Sequence, residues 1–328
     1  MTRTTALREL WDTTRMQLLV EIDRQGSVSG AAAAIGIGQP SASQHLRLLE
    51  TAAGQRLVER NGRGSRLTEA GHVLAARAAQ ALASLGAAEE ELGAISGLQT
   101  GTIHLGASTA PGVYLLPDTL GCFRRSYPGV TVEVEIAASE EILRRLLNGR
   151  VQLALVGSQQ ADPRIELEPF LEDEIVGVVK PGLAPLKRGT LEPARLSEFM
   201  LLARERGSSS QRVIDDELRE LGIRPAGAWE LGSSEAIKRA AREGLGVAFL
   251  SRYAVAEEVE RGDLACFRLA GRPRLVRHFS VARLAGRPQS PAERSFVETL
   301  TRCCAKQADY AAACVASPRA PARTHERR

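Results

Sequence analysis

The sequence predicts a multi-domain α/β protein: an N-terminal winged helix-turn-helix, a long linker helix, and a larger C-terminal part of alternating strands and helices. Three observations carry this expectation. Short helical apolar patterns, punctuated by glycine turns and followed by a hairpin signal, fill residues 13–67. A single heptad seam runs through residues 68–97. Past Gly101 the pattern alternates between strand and helix, which implies α/β architecture with mostly parallel sheets.

The totals narrow the function classes. A chain of 328 residues holds one to three domains, and 44% apolar with 25% charged residues reads as soluble and globular. The opening "MTRTTALRELWDTTRM" is charged throughout, so no secretory signal is expected. Residues 25–46 lack a charged side chain and could span a bilayer in length. Their Gly, Pro, Gln and Ser content argues against a membrane helix. A cytoplasmic protein with no membrane partner is the expectation. The five cysteines are odd in number without a C-x-x-C, and the five histidines show no H-x-x-x-H spacing. Neither a disulfide framework nor a metal site is expected, nor any cofactor. Charge is uneven: +3 over residues 1–67, +3 over the tail 317–328, and −2 between them. A basic N-terminal part fits a polyanionic partner.

Met16, Leu18, Leu19, Val20 and Ile22 pattern a first helix ending near Gly26. Ser27 or Ser29 caps a second, "GAAAAIG", whose small residues allow close packing and which Gly36 ends. The third begins within "GQPSASQHLRLLE", residues 38–50. Ala42, Leu46 and Leu49 form its apolar stripe, and Pro40 suits its first turn. The other face offers Gln39, Ser43, Gln44 and Arg47, hydrogen-bonding groups with almost no charge. An ordinary surface helix would carry Glu and Lys there. Two short helices joined by a tight turn, the second with such a face, form the helix-turn-helix pattern. In the major groove Gln pairs with adenine, Ser donates or accepts, and Arg forks onto guanine or holds a phosphate. A carboxylate there would be repelled, and Glu50 stands only at the far end. "RLVERNGRGSRLT" then reads as a β-wing turning at "NGRG", with Arg56, Arg60, Arg63 and Arg66 suited to phosphates or a minor groove.

Thr68 caps a long helix to about Gly97. Leu74, Ala78, Ala81, Leu85, Ala88, Leu92 and Ile95 are spaced alternately four and three apart, which is a heptad seam. So narrow a stripe wants a partner helix, and the reading is dimerisation. The alternative is packing on its own chain.

Residues 13–80 resemble the N-terminal domain of the LysR-type transcriptional regulators. The resemblance rests on "GSVSGAAAAIGIGQPSASQHLRLLE", "RLVERNGRGSRLTEAG" and the helix behind them, in that order. It implies a winged helix-turn-helix that binds double-stranded DNA as a homodimer or homotetramer, with RNA polymerase as a further partner. Carried onto this chain, the DNA-binding positions are Gln39, Pro40, Ser41, Ser43, Gln44, Arg47, Arg60 and Arg63. The sequence departs at Gln44, where many similar members have Arg.

In the C-terminal part "TIHLGAS", "VTVEVEIA", "VQLALVG", "EIVGVVK", "FMLLAR", "VAFLS" and "LVRHFSVARL" read as strands. A helical pattern runs to Tyr127. "SEEILRRLLNG" is a helix with Ser139 as cap, followed by "SQRVIDDELRELG", "SSEAIKRAAREG" and a final helix with Phe296 and Leu300. This part resembles the family's two-lobed, periplasmic-binding-protein-like effector domain. The resemblance implies an effector domain over 101–316, with crossings at "QADPR" and "AGRPR". Lobe one is then 101–161 plus 273–316, lobe two 163–271, and the basic tail 317–328 is disordered. Ligands in such folds sit at strand ends and helix starts between the lobes. Ser108, Thr109, Ser158, Ser208, Ser209 and Ser233 stand at such points and are the candidate effector-binding residues for a small anion. Each could equally be only an N-cap.

No Gly-x-Ser-x-Gly elbow occurs, no nucleophile has a base in a motif, and "GIGQPS" lacks the lysine of a phosphate loop. No catalytic residue is assigned. The reading is a sequence-specific, ligand-responsive transcriptional activator. The alternatives are a small-anion-binding protein, or a cytosolic enzyme with an accessory DNA-binding domain. "ELGSSEAIKRAAREGLGVAFLS" and "ARERGSSSQ" most resemble members that govern carbon fixation or sulfur assimilation.

Overall fold

The computed structural model describes residues 12–61, 64–95, 100–157, 162–205 and 207–316. Helix α1 (Thr13–Gln25) starts where the Asp12 carboxylate accepts the Arg15 N–H at 3.0 Å, and ends at Gly26 in the left-handed conformation. Helix α2 (Val28–Ala34) is capped by Ser27, not Ser29, through the Gly30 N–H at 3.0 Å. Helix α3 (Gln39–Ala53) follows a short turn. Leu18, Leu19, Ile22, Ala31, Ala32, Ala42 and Leu49 close one small core with Leu57, Leu67 and Ala75. Strands β1 (Val58–Asn61) and β2 (Gly64–Leu67) pair antiparallel, with Asn61 opposite Gly64, as the hairpin signal predicts.

Helix α4 (Glu69–Ile95) is capped by the Thr68 hydroxyl, which accepts the Gly71 N–H at 3.1 Å. A Cβ at Gly71 would lie 2.1 Å from the Leu57 carbonyl oxygen, so only glycine lets the helix lie this close to the wing. The first half of the seam, from Leu74 to Ala78, is covered by its own chain. Its second half exposes Leu85 at 49% and Leu92 at 66%.

Beyond Gly101 the chain builds two α/β lobes. The first contains β3 (Gly101–Ser108), α5 (Leu116–Ser126) after one π turn, β4 (Val130–Ala137), α6 (Ser139–Leu147) and β5 (Leu153–Gly157). Its strands run parallel in the order β4-β3-β5. Strand β6 (Ile165–Val179) leads out, and β7 (Thr190–Leu191) follows. The second lobe contains β8 (Met200–Ala203), α7 (Ser209–Leu221), β9 (Gly227–Glu230), α8 (Ser234–Arg242), β10 (Val247–Ser251), α9 (Arg252–Arg261) and β11 (Ala265–Leu269). Strand β12 (Leu275–Leu284) returns, and α10 (Pro291–Ala316) lies on lobe one, with Phe296 and Leu300 fully buried.

The expected crossings need correction. The chain changes lobe inside two long strands, not at the loops near residues 162 and 272. β6 and β12 pair antiparallel along their length, from Leu275 opposite Ile175 to Leu284 opposite Ile165. Ile165 packs into the core of Ile142 and Leu146, whereas Ile175 packs with Phe249 and Phe267 in the other lobe. A paired ribbon keeps its backbone groups bonded where two single linkers would leave them bare. The expected disordered tail, 317–328, lies outside the described residues.

Candidate nucleic-acid interface and ligand cleft

Helix α3 turns Ala42 and Leu49 inward and leaves Gln39, Pro40, Gln44 and Arg47 exposed, with Ser41 and Ser43 half-buried. Its cap, Gly38, makes no side-chain hydrogen bond, so the first backbone N–H groups stay open to an anion such as phosphate. The Arg47 Nε donates to the Ser43 carbonyl at 3.3 Å, which holds the guanidinium along the helix. Glu50 is not a stray acid. Its Oε1 accepts the N–H groups of Leu57 at 2.9 Å and Val58 at 3.3 Å, tying the wing to the helix. His45 also has an inward task, accepting Arg15 Nε at 3.5 Å. In the wing, Arg66 is paired with Glu59 at 2.6 Å. Arg60 lies on β1, and Arg63 lies outside the described residues.

Between the lobes, Ser108, Thr109, Ser208 and Ser209 line one cavity, as their positions at strand ends and helix starts suggested. Ser158 lies outside the described residues. Ser233 does not join them. It is exposed, and its hydroxyl caps α8 by accepting the Ala236 N–H at 3.4 Å. Ser139 is not the cap of α6; Ala138 holds that position. The Ser139 hydroxyl instead donates across the lobes to Ser209 Oγ at 3.3 Å. The cap of α7, Ser208, bonds Ser210 Oγ at 2.9 Å and makes no cap bond, so this helix start also presents free N–H groups.

Sequence reasoning missed the two cations of the cleft. Arg277, on β12, donates to Ser209 Oγ at 2.6 Å and pairs with Asp173 at 2.8 Å. Asp173 is fully buried and also accepts Ser251 Oγ at 2.7 Å. Burial pushes its carboxyl upward against the pull of Arg277. Arg204, at the end of β8, donates to Ser234 Oγ at 2.7 Å and across the lobes to Thr109 Oγ1 at 3.1 Å. The period of β12 carried a signal: Arg277 shares its face with Phe279, and both are buried. For Arg204 the signal was its place at a strand end before "GSSS".

The cavity these residues enclose is about 20 Å³, room for roughly one water. The lobes are therefore closed on each other. A larger cavity of about 770 Å³ lies elsewhere, between α1, α4 and lobe one. Among the described residues its lining holds a single cation, Arg24, and the start of α10, where Ser290 and Glu293 already cap each other, so the chemistry points to the smaller one. Among the described residues no group of three or more His, Cys, Asp or Glu could hold a metal ion. No described helix is long and apolar enough to cross a membrane.

Comparison with known proteins agrees with this division of labour. Residues 13–72 match the family model of the bacterial regulatory helix-turn-helix protein, lysR family, and residues 96–305 match that of the LysR substrate binding domain. The chain is 33% identical over 264 residues to a probable RuBisCO transcriptional regulator of Nostoc sp. (strain PCC 7120), covering 78% of each protein. It is 30% identical over 286 residues to the HTH-type transcriptional activator CmpR of Synechocystis sp. (strain PCC 6803), covering 87% of this chain and 93% of that one. Among solved structures it is similar to the CcmR regulatory domain of Synechocystis PCC6803 in complex with 2-PG. The identity is 27% and the TM-score 0.57, over 62% of this chain and 97% of that one.

Proposed function

The chain belongs to the LysR family of DNA-binding transcriptional regulators, and from that premise we propose that it is a cytoplasmic activator of carbon-fixation genes switched by a small anionic metabolite. Both halves of the chain match this family and its curated relatives are regulators, so the enzyme and free-standing binding-protein alternatives are set aside.

The observation that carries the ligand reading is the cleft. Two buried guanidinium groups, the hydroxyls of Ser108, Thr109, Ser139 and Ser209, and the uncapped start of α7 converge between the lobes. Hydrogen-bond donors dominate there, and such a site favours an oxyanion over a neutral molecule. The bound 2-PG of the similar CcmR domain supports the same class.

In this reading 13–67 is the DNA-binding unit, 68–97 the linker helix and 101–316 the effector domain. Gln39, Pro40, Ser41, Ser43, Gln44 and Arg47 face the major groove, with Arg60 and Arg63 on phosphates. The exposed Leu85 and Leu92 pack against a second copy, giving a dimer or tetramer whose paired wings reach two half-sites. RNA polymerase is the downstream partner. The test is a mobility-shift assay on DNA from upstream of the RuBisCO genes, repeated with a panel of small phosphorylated and unphosphorylated carboxylates. Retardation that one anion alters supports the reading. Retardation indifferent to every anion in the panel removes the ligand part of it.

A further inference from the structure

The two cleft arginines are neutralised in different ways. Asp173, the partner of Arg277, is wholly buried and held from its other side by Ser251. It has no route to water. Arg204 is 5% exposed, and two of its partners are hydroxyls, which carry no charge. Its charge is balanced by the next residue in the chain. Glu205 accepts Nε at 2.8 Å and Nη2 at 2.6 Å, a two-pronged carboxylate–guanidinium fork. Unlike Asp173, the Glu205 side chain is 26% exposed and lies outside any helix or strand. It can swing into solvent without breaking an element.

We infer that Glu205 is a built-in stand-in for the effector: its carboxylate occupies the fork of Arg204 in the cleft, and an incoming anion must displace it. This rests on the cleft being the effector site. Two physical points favour it. A buried guanidinium cannot be left without a counter-charge, so whatever evicts Glu205 has to bring its own negative charge. The fork is also geometrically satisfied by any planar or tetrahedral oxyanion. The device therefore rejects neutral molecules of similar shape, and it keeps weak anions out until one outcompetes a carboxylate held at high local concentration. Arg204 bridges to Thr109 of lobe one, so the exchange occurs at the seam between the lobes.

The sign of the predicted effect separates this role from the ordinary ones. A residue that merely shapes the loop, or accepts a hydrogen bond from the ligand, weakens binding when altered. A displaceable competitor strengthens it. Inorganic phosphate is titrated calorimetrically into the full chain, wild type and variants. Glu205→Gln and Glu205→Ala are expected to bind phosphate about tenfold more tightly, the scale of one lost charge-assisted competitor. Glu205→Asp keeps the charge and is expected to stay within about threefold of wild type. Thermal melting of each variant confirms that it is folded. Arg204→Gln and Ser209→Ala test the underlying site and are expected to lose most phosphate affinity. If these two bind as wild type does, the cleft is not the anion site and the inference falls with it. If they lose binding while both Glu205 variants bind equally or more weakly than wild type, the cleft stands and the stand-in role of Glu205 is overturned. If no variant, including Glu205→Gln, takes up phosphate, both are overturned.

Discussion

Gln44 and Arg47 are the side chains on which specificity rests in the proposed DNA contact, because both are exposed on α3 and neither is consumed by the core. Gln44→Ala and Arg47→Ala should each weaken operator binding by about 1–3 kcal/mol while leaving the melting temperature unchanged. Competition with non-specific DNA checks this; a Gln44 variant with full discrimination would show that the residue reads nothing. At the same scale lies a pH effect. Burial pushes the Cys266 thiol from 9.0 up to about 11, and that of Cys304 from 9.0 up to about 12. The folded chain then keeps a proton that the unfolded chain has lost. This contribution is complete below pH 9 and is lost as pH rises through the folded values. Cys266→Ala should flatten the loss of stability in that window by roughly 1.4 kcal/mol per pH unit, measured as urea midpoints at about pH 8 and about pH 10.5. Equal slopes in both proteins would show that this thiol is not held protonated by burial. Single residues were unevenly legible. The polar face of α3 could be read because the helical period separates it from Ala42 and Leu49. The bond from Ser139 to Ser209 joins positions seventy apart in sequence, and no local pattern encodes such a partner.

The helices and strands themselves were mostly legible, since caps and periods are local physics. Ser27 and Thr68 cap where hydroxyls precede apolar runs, and the hairpin closes where "NGRG" stands. The lobe crossings were not legible. A strand that changes lobe midway has the same alternation on both sides of the change, so its pattern carries no mark of the boundary. The seam of α4 is a mixed case. Its period announces an apolar stripe, yet period alone does not distinguish packing on the same chain from packing on another. The structure divides it: Leu74 packs on the N-terminal core and Ala78 is buried by its own chain, whereas the Leu85 and Leu92 side chains are exposed. If those two leucines hold a second copy, Leu85→Glu combined with Leu92→Glu should convert the assembly to monomers without loss of helical content. Light scattering at micromolar concentration decides it. A variant that still scatters as a dimer would assign association to another surface.

At the scale of the whole molecule, the question is what holds the lobes shut over a cavity of about 20 Å³. The ribbon of β6 and β12 joins them on one side. On another, Tyr114 of lobe one reaches α8 of lobe two, where its hydroxyl donates to Glu235 Oε1 at 2.8 Å. Lys238 Nζ lies 5.1 Å from the centre of its ring and pairs with Glu235 and Glu258 at 2.7 and 2.8 Å. Burial first, and then the neighbouring carboxylates, push the phenol's titration far upward, so it remains a donor at any working pH. Tyr114→Phe removes that one hydrogen bond and keeps the ring under Lys238. A bond to a carboxylate is worth about 1.5–3 kcal/mol when dry. Glu235 is 53% exposed, so the discounted value is about 1 kcal/mol. That is too little to unfold a lobe but enough to shift an opening equilibrium about fivefold. A ligand enters only when the lobes part, so the Phe variant should release phosphate about fivefold faster, with uptake faster as well. Its DNA affinity in the absence of ligand should be unchanged, because α3 does not touch this contact. Stopped-flow mixing measures the rates. An unaltered release rate would mean that the other links between the lobes, the ribbon and the bonds from Arg204 to Thr109 and from Ser139 to Ser209, set how often the cleft opens.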